Sequence, residues 1–387
     1  MNDRIRFIIL ALTAPVLAYT LVGGLLGRVV AREDTYRHLR VFEDVVSLVT
    51  SNYVEPVEPD LIMRGALWGL AAGLDSQSAY LTADDVVLLD TPAQGSGIGL
   101  ELTRQYYIQV VSARDGSPAD SAGLRPGDYI REIDGQPTRM MSVVRGAVLL
   151  RGEAGSTVRL NVIRGNAAEP IDLDITRRDG RSANLTSRIV ADGVGYVRLA
   201  EFDDTTAGAI ETTVETLTAQ GMVRLVLDLR GTATGTFDAG LAAAELFTDT
   251  ETLVLRESSD GQQPIARSPR PALITLPVVI LTNPGTAGAA ELFTAALTDS
   301  DRADTVGLRT AGRAAEQTLV RLPDGSGLLL SSTRYLTASG EGIHRRGIEP
   351  TVAVQEPMVE LGQSPEDPVE DPVLDRALDH LAEIPLI

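Results

Sequence analysis

Cysteine is absent from all 387 residues, which removes disulfides, thiolate metal sites and cysteine nucleophiles and leaves the redox compartment unread. Lysine is absent too: each of the 34 basic residues is an arginine. Coding bias in a GC-rich genome accounts for such a composition. Whatever its origin, it strikes one side chain from the candidate general bases, because arginine keeps its proton in any protein setting. Three histidines remain, His38, His344 and His380. Positive charge is scarce overall, the net charge being −19. Nucleic acid and anionic membrane surfaces are thereby disfavoured as partners, since association would begin against long-range repulsion. The acidity itself serves solubility, and no internal repeat is found.

What is present has room for two or three domains and a real core. Residues 7–26 form an uncharged run of about the twenty residues needed to cross a hydrocarbon core, with Arg4 and Arg6 before it and Arg28 and Arg32 after it. An uncleaved signal anchor is expected, because the run continues past the poor cleavage candidate 16-VLA-18; the alternative is a long signal peptide. Arginines on both flanks weaken any argument about orientation. From residue 33 to 85 apolar residues recur at helical spacing, and 53-YVEPVEP-59 divides two helices. From about 95 to 176 the pattern turns to strands: 107-YIQVV-111, 129-YIREI-133 and 157-TVRLNVIR-164, with turns at 123-GLRPGD-128 and 134-DG-135 and a helix near 141–151.

Residues 187–354 alternate strands and helices: 194-VGYVRLAEF-202, a helix at 207–220, 223-VRLVLDLR-230, a helix at 238–247, then 276-LPVVIL-281. Such alternation predicts an α/β core around a buried sheet. Directly after the last strand comes 283-NPGTAGAAEL-292, a turn of small residues opening a helix. Turns of this kind expose nucleophiles in many α/β enzymes, with helix amides nearby to receive an oxyanion. This one carries no convincing nucleophile. Beyond 355 the chain is acidic and proline-bearing, and only 372–384 reads as helix.

The middle segment resembles a PDZ domain, through 117-SPADSAGLRPGDYIREIDGQ-136 and through 97-GIGL-100 at the place of the carboxylate-binding loop. Gly97, Ile98, Gly99 and Leu100 are therefore the peptide-binding candidates; a packed β-domain that binds nothing is the alternative. Four further motifs, in order, resemble the bacterial C-terminal processing proteases, PDZ-containing serine peptidases with a Ser/Lys dyad. They are 74-LDSQSAYLT-82, 227-LDLRG-231, 299-DSDRADTVG-307 and 334-RYLTASGEGIHRRGIEP-350. The resemblance implies an α/β multidomain chain: a signal anchor or signal peptide at 1–30, an N-terminal helical region at 31–92, a β-rich PDZ domain at 93–180, a protease-like core at 181–356, and an acidic tail with a short helix at 357–387.

Aligned on Glu291, the family's nucleophilic serine falls on Gly288, and its lysine, within 311-AGRAAEQ-317, falls on Arg313. Asp299 and Gln317 match residues kept around the dyad. In the oxyanion region 231-GTATG-235 keeps Gly235, with Thr234 in place of the second glycine. Glycine cannot form an acyl-enzyme, and arginine cannot serve as the base. Thr286 is the best substitute nucleophile. His344 reads as a loop or strand-end residue, and His38 and His380 as ordinary exposed positions. Asp228, Asp238, Glu291 and Asp299 suggest metal, but three of them fall within motifs that need none, so no metal or cofactor is expected.

The implied function is a pseudoprotease of the cell envelope, anchored in the inner membrane and facing the periplasm, or secreted there if the N-terminus is cleaved. It would bind protein C-termini or unfolded polypeptides as adaptor or regulator, and an active protease paralogue is a further implied partner. The alternatives are a serine-type peptidase-like enzyme with a relocated nucleophile and a non-binding scaffold.

Overall fold

The computed structural model of the chain describes residues 39–165, 167, 169–178, 183–267, 270–356 and 370–386. The apolar run 7–26, His38 and the tail segment 357–369 lie outside them. The described residues divide between Leu70 and Ala71 into two units. In the first, residues 39–52 are helical and a second helix opens at Pro59, where a missing N–H is harmless because that position has no helical acceptor. No helix among the described residues is long and apolar enough to cross a membrane.

The second unit is built on a six-stranded sheet in the order Val352–Ala353, Asp304–Gly307, Val278–Thr282, Arg224–Asp228, Val194–Leu199, Leu185–Ala191. All neighbours are parallel except the last pair. Strands buried on both faces need continuous apolar sequence, and Val278–Thr282 is buried throughout. The helices Thr206–Ala219, Phe237–Ala244 and Ala289–Thr298 share a core with one face through Ile210, Leu241 and Phe293. Gly240 allows a close approach of two of them: a Cβ there would lie 2.5 Å from the Ala289 carbonyl.

The opposite face carries the helix expected in the tail. Helix Pro372–Glu383 packs Val373, Ala377 and Leu381 against Val226, Val279 and Leu281, so this part of the acidic tail belongs to the core. His380 is accordingly not an exposed residue: its side chain is 17% exposed and its Nε2 lies 2.9 Å from Asp304 Oδ2.

A second, antiparallel sheet joins Ala79–Leu81, Gly327–Thr337, Thr252–Ser258 and Gly261–Ala266, with Ala315–Arg321 paired to the long strand. Segment 31–92 is thus not wholly helical, since Ala79–Leu81 pairs with residues 327–329. A third, β-rich subunit of the fold pairs Leu100–Gln105 with Tyr107–Ala113 and continues through Tyr129–Ile133, Thr157–Ile163 and Ile171–Thr176. Alternation does the positioning there: Val158, Leu160 and Val162 are fully buried between exposed Thr157 and Arg159. Each such burial stabilises by about 1.5–3 kcal/mol.

Candidate active site

Strand Val278–Thr282 runs into the turn 283–288 and then the helix Ala289–Thr298. Gly288 is the residue at the bend, with φ 62° and ψ −117°. Side chains rarely adopt that conformation, and it is the kind of strained geometry in which strand-to-helix elbows present a nucleophile. There is room for one: a Cβ on Gly288 would meet only a Phe237 ring carbon, at 3.9 Å.

Glu291, three residues on, organises the elbow. Its fully buried carboxylate accepts the Gly288 amide (3.0 Å) and the Arg313 amide (2.7 Å) on Oε2. On Oε1 it accepts the Gly312 amide (2.6 Å) and the Thr310 hydroxyl. The two positions to which the resemblance assigns nucleophile and base therefore share one carboxylate oxygen. Burial pushes the Glu291 carboxyl up, against four donors that each favour its charged form. Spacing could have revealed this role, because a glutamate three residues into a helix commonly bonds back to the residue that caps it.

The Arg313 side chain bonds the β-rich subunit. Its Nη1 donates to the Leu102 carbonyl, 3.2 Å away on the β-rich subunit. Burial pushes the guanidinium down from its ordinary value, with Glu101 and Glu291 opposing. A guanidinium nevertheless stays protonated through neutral pH. Glu101, the neighbour of Leu102, accepts from the Thr234 hydroxyl at 3.3 Å, and burial raises its pKa.

The loop 231-GTATG-235 is bound to the elbow by Asn283, whose Oδ1 accepts the amides of Gly231 and Gly285, each at 2.9 Å. The Ala287 amide donates to the Thr232 carbonyl at 2.9 Å. Gly235 has φ 134°, and a Cβ there would fall 2.3 Å from the Phe202 carbonyl. Thr286 is fully buried; its hydroxyl donates to the Leu229 carbonyl (2.8 Å) and accepts the Asn283 amide (3.1 Å). Asp299 does not join these residues. It caps the far end of the ten-residue helix, about 16–17 Å from Gly288 by helical rise, and accepts the amide and hydroxyl of Ser339. Gln317 is exposed on strand Ala315–Arg321.

The motif carboxylate Asp228 is occupied structurally: it accepts the Tyr196 hydroxyl at 2.7 Å and pairs with Arg230, which also binds Asp371 at the start of the tail helix. Among the described residues no group of three or more His, Asp and Glu is placed to hold a metal. Between these residues and the turn at Arg125 and Pro126 lies a cavity of about 520 Å³.

His344 lies in a turn, 7% exposed, with Nε2 3.6 Å from Asp75 Oδ2. Burial pushes the Asp75 carboxyl up, but His344 and the amides of Gln77 and Ser78 outweigh it and hold the carboxyl well below the usual range. A depressed carboxyl contributes stability that is present above its unfolded value, about 4, and is lost as pH falls through the folded value. Asp75→Asn is therefore expected to be about 1–3 kcal/mol less stable at pH 7 and to lose less than the parent on acidification to pH 3. Urea unfolding at the two pH values measures this, and equal acid sensitivity in parent and variant would contradict it.

In the β-rich subunit the carbonyls of Gly97, Ile98 and Gly99 are all spent inside the fold, on the amides of Arg178, Ala119 and Arg114. Ile98 is 1% exposed and anchors the loop in the core. Gly99 has φ 80°, and a Cβ would stand 2.4 Å from that of Ser117. The loop feeds strand Leu100–Gln105, which has a sheet neighbour on one side only and helix Val143–Leu149 packed beside it. An edge strand beside a helix is the groove that accepts an added peptide strand in PDZ domains.

Comparison with known proteins agrees with this arrangement. Residues 193–354 match peptidase family S41 and residues 109–164 match a PDZ domain. The carboxy-terminal processing protease CtpA of Bacillus subtilis (strain 168) is 31% identical over 314 residues, covering 80% of this chain and 67% of that protein. The chain belongs to the C-terminal processing protease family. Another member, from Bartonella bacilliformis, is 28% identical over 337 residues, 85% of this chain and 77% of its own. Among solved structures, the photosystem II D1 C-terminal processing protease aligns with a TM-score of 0.68 and 32% identity, over 79% of this chain and 85% of that one.

Proposed function

We propose that this member of the C-terminal processing protease family binds polypeptide C-termini through its PDZ domain and does not cut them. The observation that carries the reading is the elbow. It keeps the bent backbone of a nucleophile site at Gly288, where no side-chain atom exists to attack. The base position holds a guanidinium, which cannot take up the nucleophile's proton near neutral pH. Thr286 offers little in substitution, its hydroxyl being buried and engaged on both sides. Loss of nucleophile and base together costs on the order of a million-fold in turnover in serine proteases. The protein then serves as adaptor or regulator, working on client C-termini or beside an active protease. An anchor formed by residues 7–26 would hold it at the inner membrane, facing the periplasm.

The chain without residues 1–38 should leave an unfolded substrate with an apolar C-terminus intact. It should bind that substrate only when the terminal carboxylate is free, and Gly99→Ala should abolish the binding. Cleavage that vanishes in Thr286→Ala would replace this reading with a relocated nucleophile. No affinity for either the free or the amidated terminus would leave a scaffold.

A further inference from the structure

Arg313 has its side-chain partner on the PDZ sheet, the Leu102 carbonyl. In the PDZ sheet Leu102 stands opposite Val110. The backbone of Val110 is spent on the other side, its amide donating to Asp128 (2.8 Å) and its carbonyl accepting from Gly127 (2.9 Å). Leu102 and Val110 are therefore a non-hydrogen-bonded pair, in which both residues turn their backbone groups away from each other. The Leu102 carbonyl accordingly faces the free edge of strand Leu100–Gln105. That edge is where a peptide adds as a strand, pairing its amides with carbonyls of this kind. Arg313 Nη1 already occupies one of them, at 3.2 Å.

Neighbouring contacts hold the same PDZ domain against the core. Glu101 accepts from Thr234, a residue of the oxyanion-region loop. Arg198 of the core makes a two-pronged pair with Asp115, at 2.9 and 3.0 Å. The turn after the PDZ helix Pro118–Ser121 packs Pro126 on Gly285 so tightly that a Cβ on Gly285 would fall 2.8 Å from the proline ring.

We infer that Arg313 has become a gatekeeper of the peptide groove: its guanidinium caps the Leu102 carbonyl and competes with an incoming polypeptide C-terminus for the edge of the PDZ sheet. Arginine suits this role where lysine suits catalysis, because its planar fork stays charged and reaches a fixed acceptor with several donors. The former catalytic position thereby sets the affinity of the binding site. This rests on the reading that the PDZ domain binds C-termini.

The test is calorimetric titration of the chain lacking residues 1–38 with a synthetic decapeptide ending in valine, as free acid and as amide. Arg313→Ala is expected to bind the free acid about tenfold more tightly than the parent, since a charge-assisted competitor has gone. Arg313→Met, which keeps the apolar stem, should show the same gain, and matching thermal melts of parent and variants establish that each is folded. Equal or weaker binding by both variants, with the free acid still preferred to the amide, overturns the competition and leaves C-terminal binding standing. Failure of all proteins to bind the free acid removes the binding reading, and the competition falls with it.

Discussion

Replacing Glu291 with glutamine is expected to lower stability by about 3–5 kcal/mol, a fall in Tm on the order of 10 °C. The size follows from the donor count. The carboxylate faces four donors, two on each oxygen, and the three backbone amides among them have no lone pair to offer in exchange. Only the Thr310 hydroxyl could turn, since accepting the Ile348 amide at 2.8 Å leaves it a second lone pair. Glutamine turns one oxygen into an NH₂ group, and whichever way the amide sits, at least one buried backbone amide loses its acceptor and confronts another donor. Each unsatisfied buried group costs about 1–3 kcal/mol. Glu215→Gln, on an exposed helix position, should change stability by less than about 0.5 kcal/mol under the same conditions. Thermal melts of the two variants decide the matter. An unchanged Tm for Glu291→Gln would mean that the carboxyl is already protonated and that the elbow is held by other contacts.

That clamp also explains why the elbow survives as a fold without its nucleophile. The same carboxylate that would position a serine and a lysine holds together the turn, the helix start and the loop at 310–313, so the structure needs Glu291 whether or not chemistry occurs. Selection for folding alone would retain the frame.

The parts of this architecture that sequence could disclose are those in which burial imposes a local pattern. Strand Val278–Thr282 is buried on both faces and therefore reads as an unbroken apolar run. The turn after it consists of small residues because the chain reverses between sheet and helix. The second sheet was illegible for the converse reason: Gly261–Ala266 is an exposed edge, and Gly327–Thr337 is only half-buried along much of its length, so neither shows a clean alternation. The tail helix carries Val373, Ala377 and Leu381 at four-residue spacing, a visible stripe, but the spacing does not say which sheet face the stripe covers. Spacing could have marked Glu291 as a capping glutamate, yet the donors from Thr310, Gly312 and Arg313 come from a loop that only the fold brings near. The contact between Arg313 and Leu102 had no signature at all. Its acceptor is a backbone carbonyl, which every residue possesses, and its donor looked like a simple loss of lysine.

Hydrolysis of an unfolded substrate is expected from the double variant Gly288→Ser, Arg313→Lys and from neither single variant. A serine at 288 without a base remains an ordinary hydroxyl, and a lysine at 313 without a serine has no proton to take; when such groups act as a unit, losing one costs about as much as losing both. The elbow can receive the side chain, since only Phe237 stands near, but the backbone at φ 62° charges about 1–3 kcal/mol of strain, so the serine variants should also melt lower than the parent. The lysine needs a depressed pKa to act. Burial at that position works in its favour, whereas the carboxylates of Glu101 and Glu291 hold the proton on, as they do for the guanidinium now there. Glu291 cannot be spared, but Glu101 belongs to the PDZ strand. Adding Glu101→Gln to the double variant removes a negative neighbour, favours the neutral amine, and should move the rising limb of the pH–rate profile to lower pH. Activity in Gly288→Ser alone would show that some group other than residue 313 supplies the base. A profile unmoved by Glu101→Gln would show that the PDZ strand does not reach the centre electrostatically.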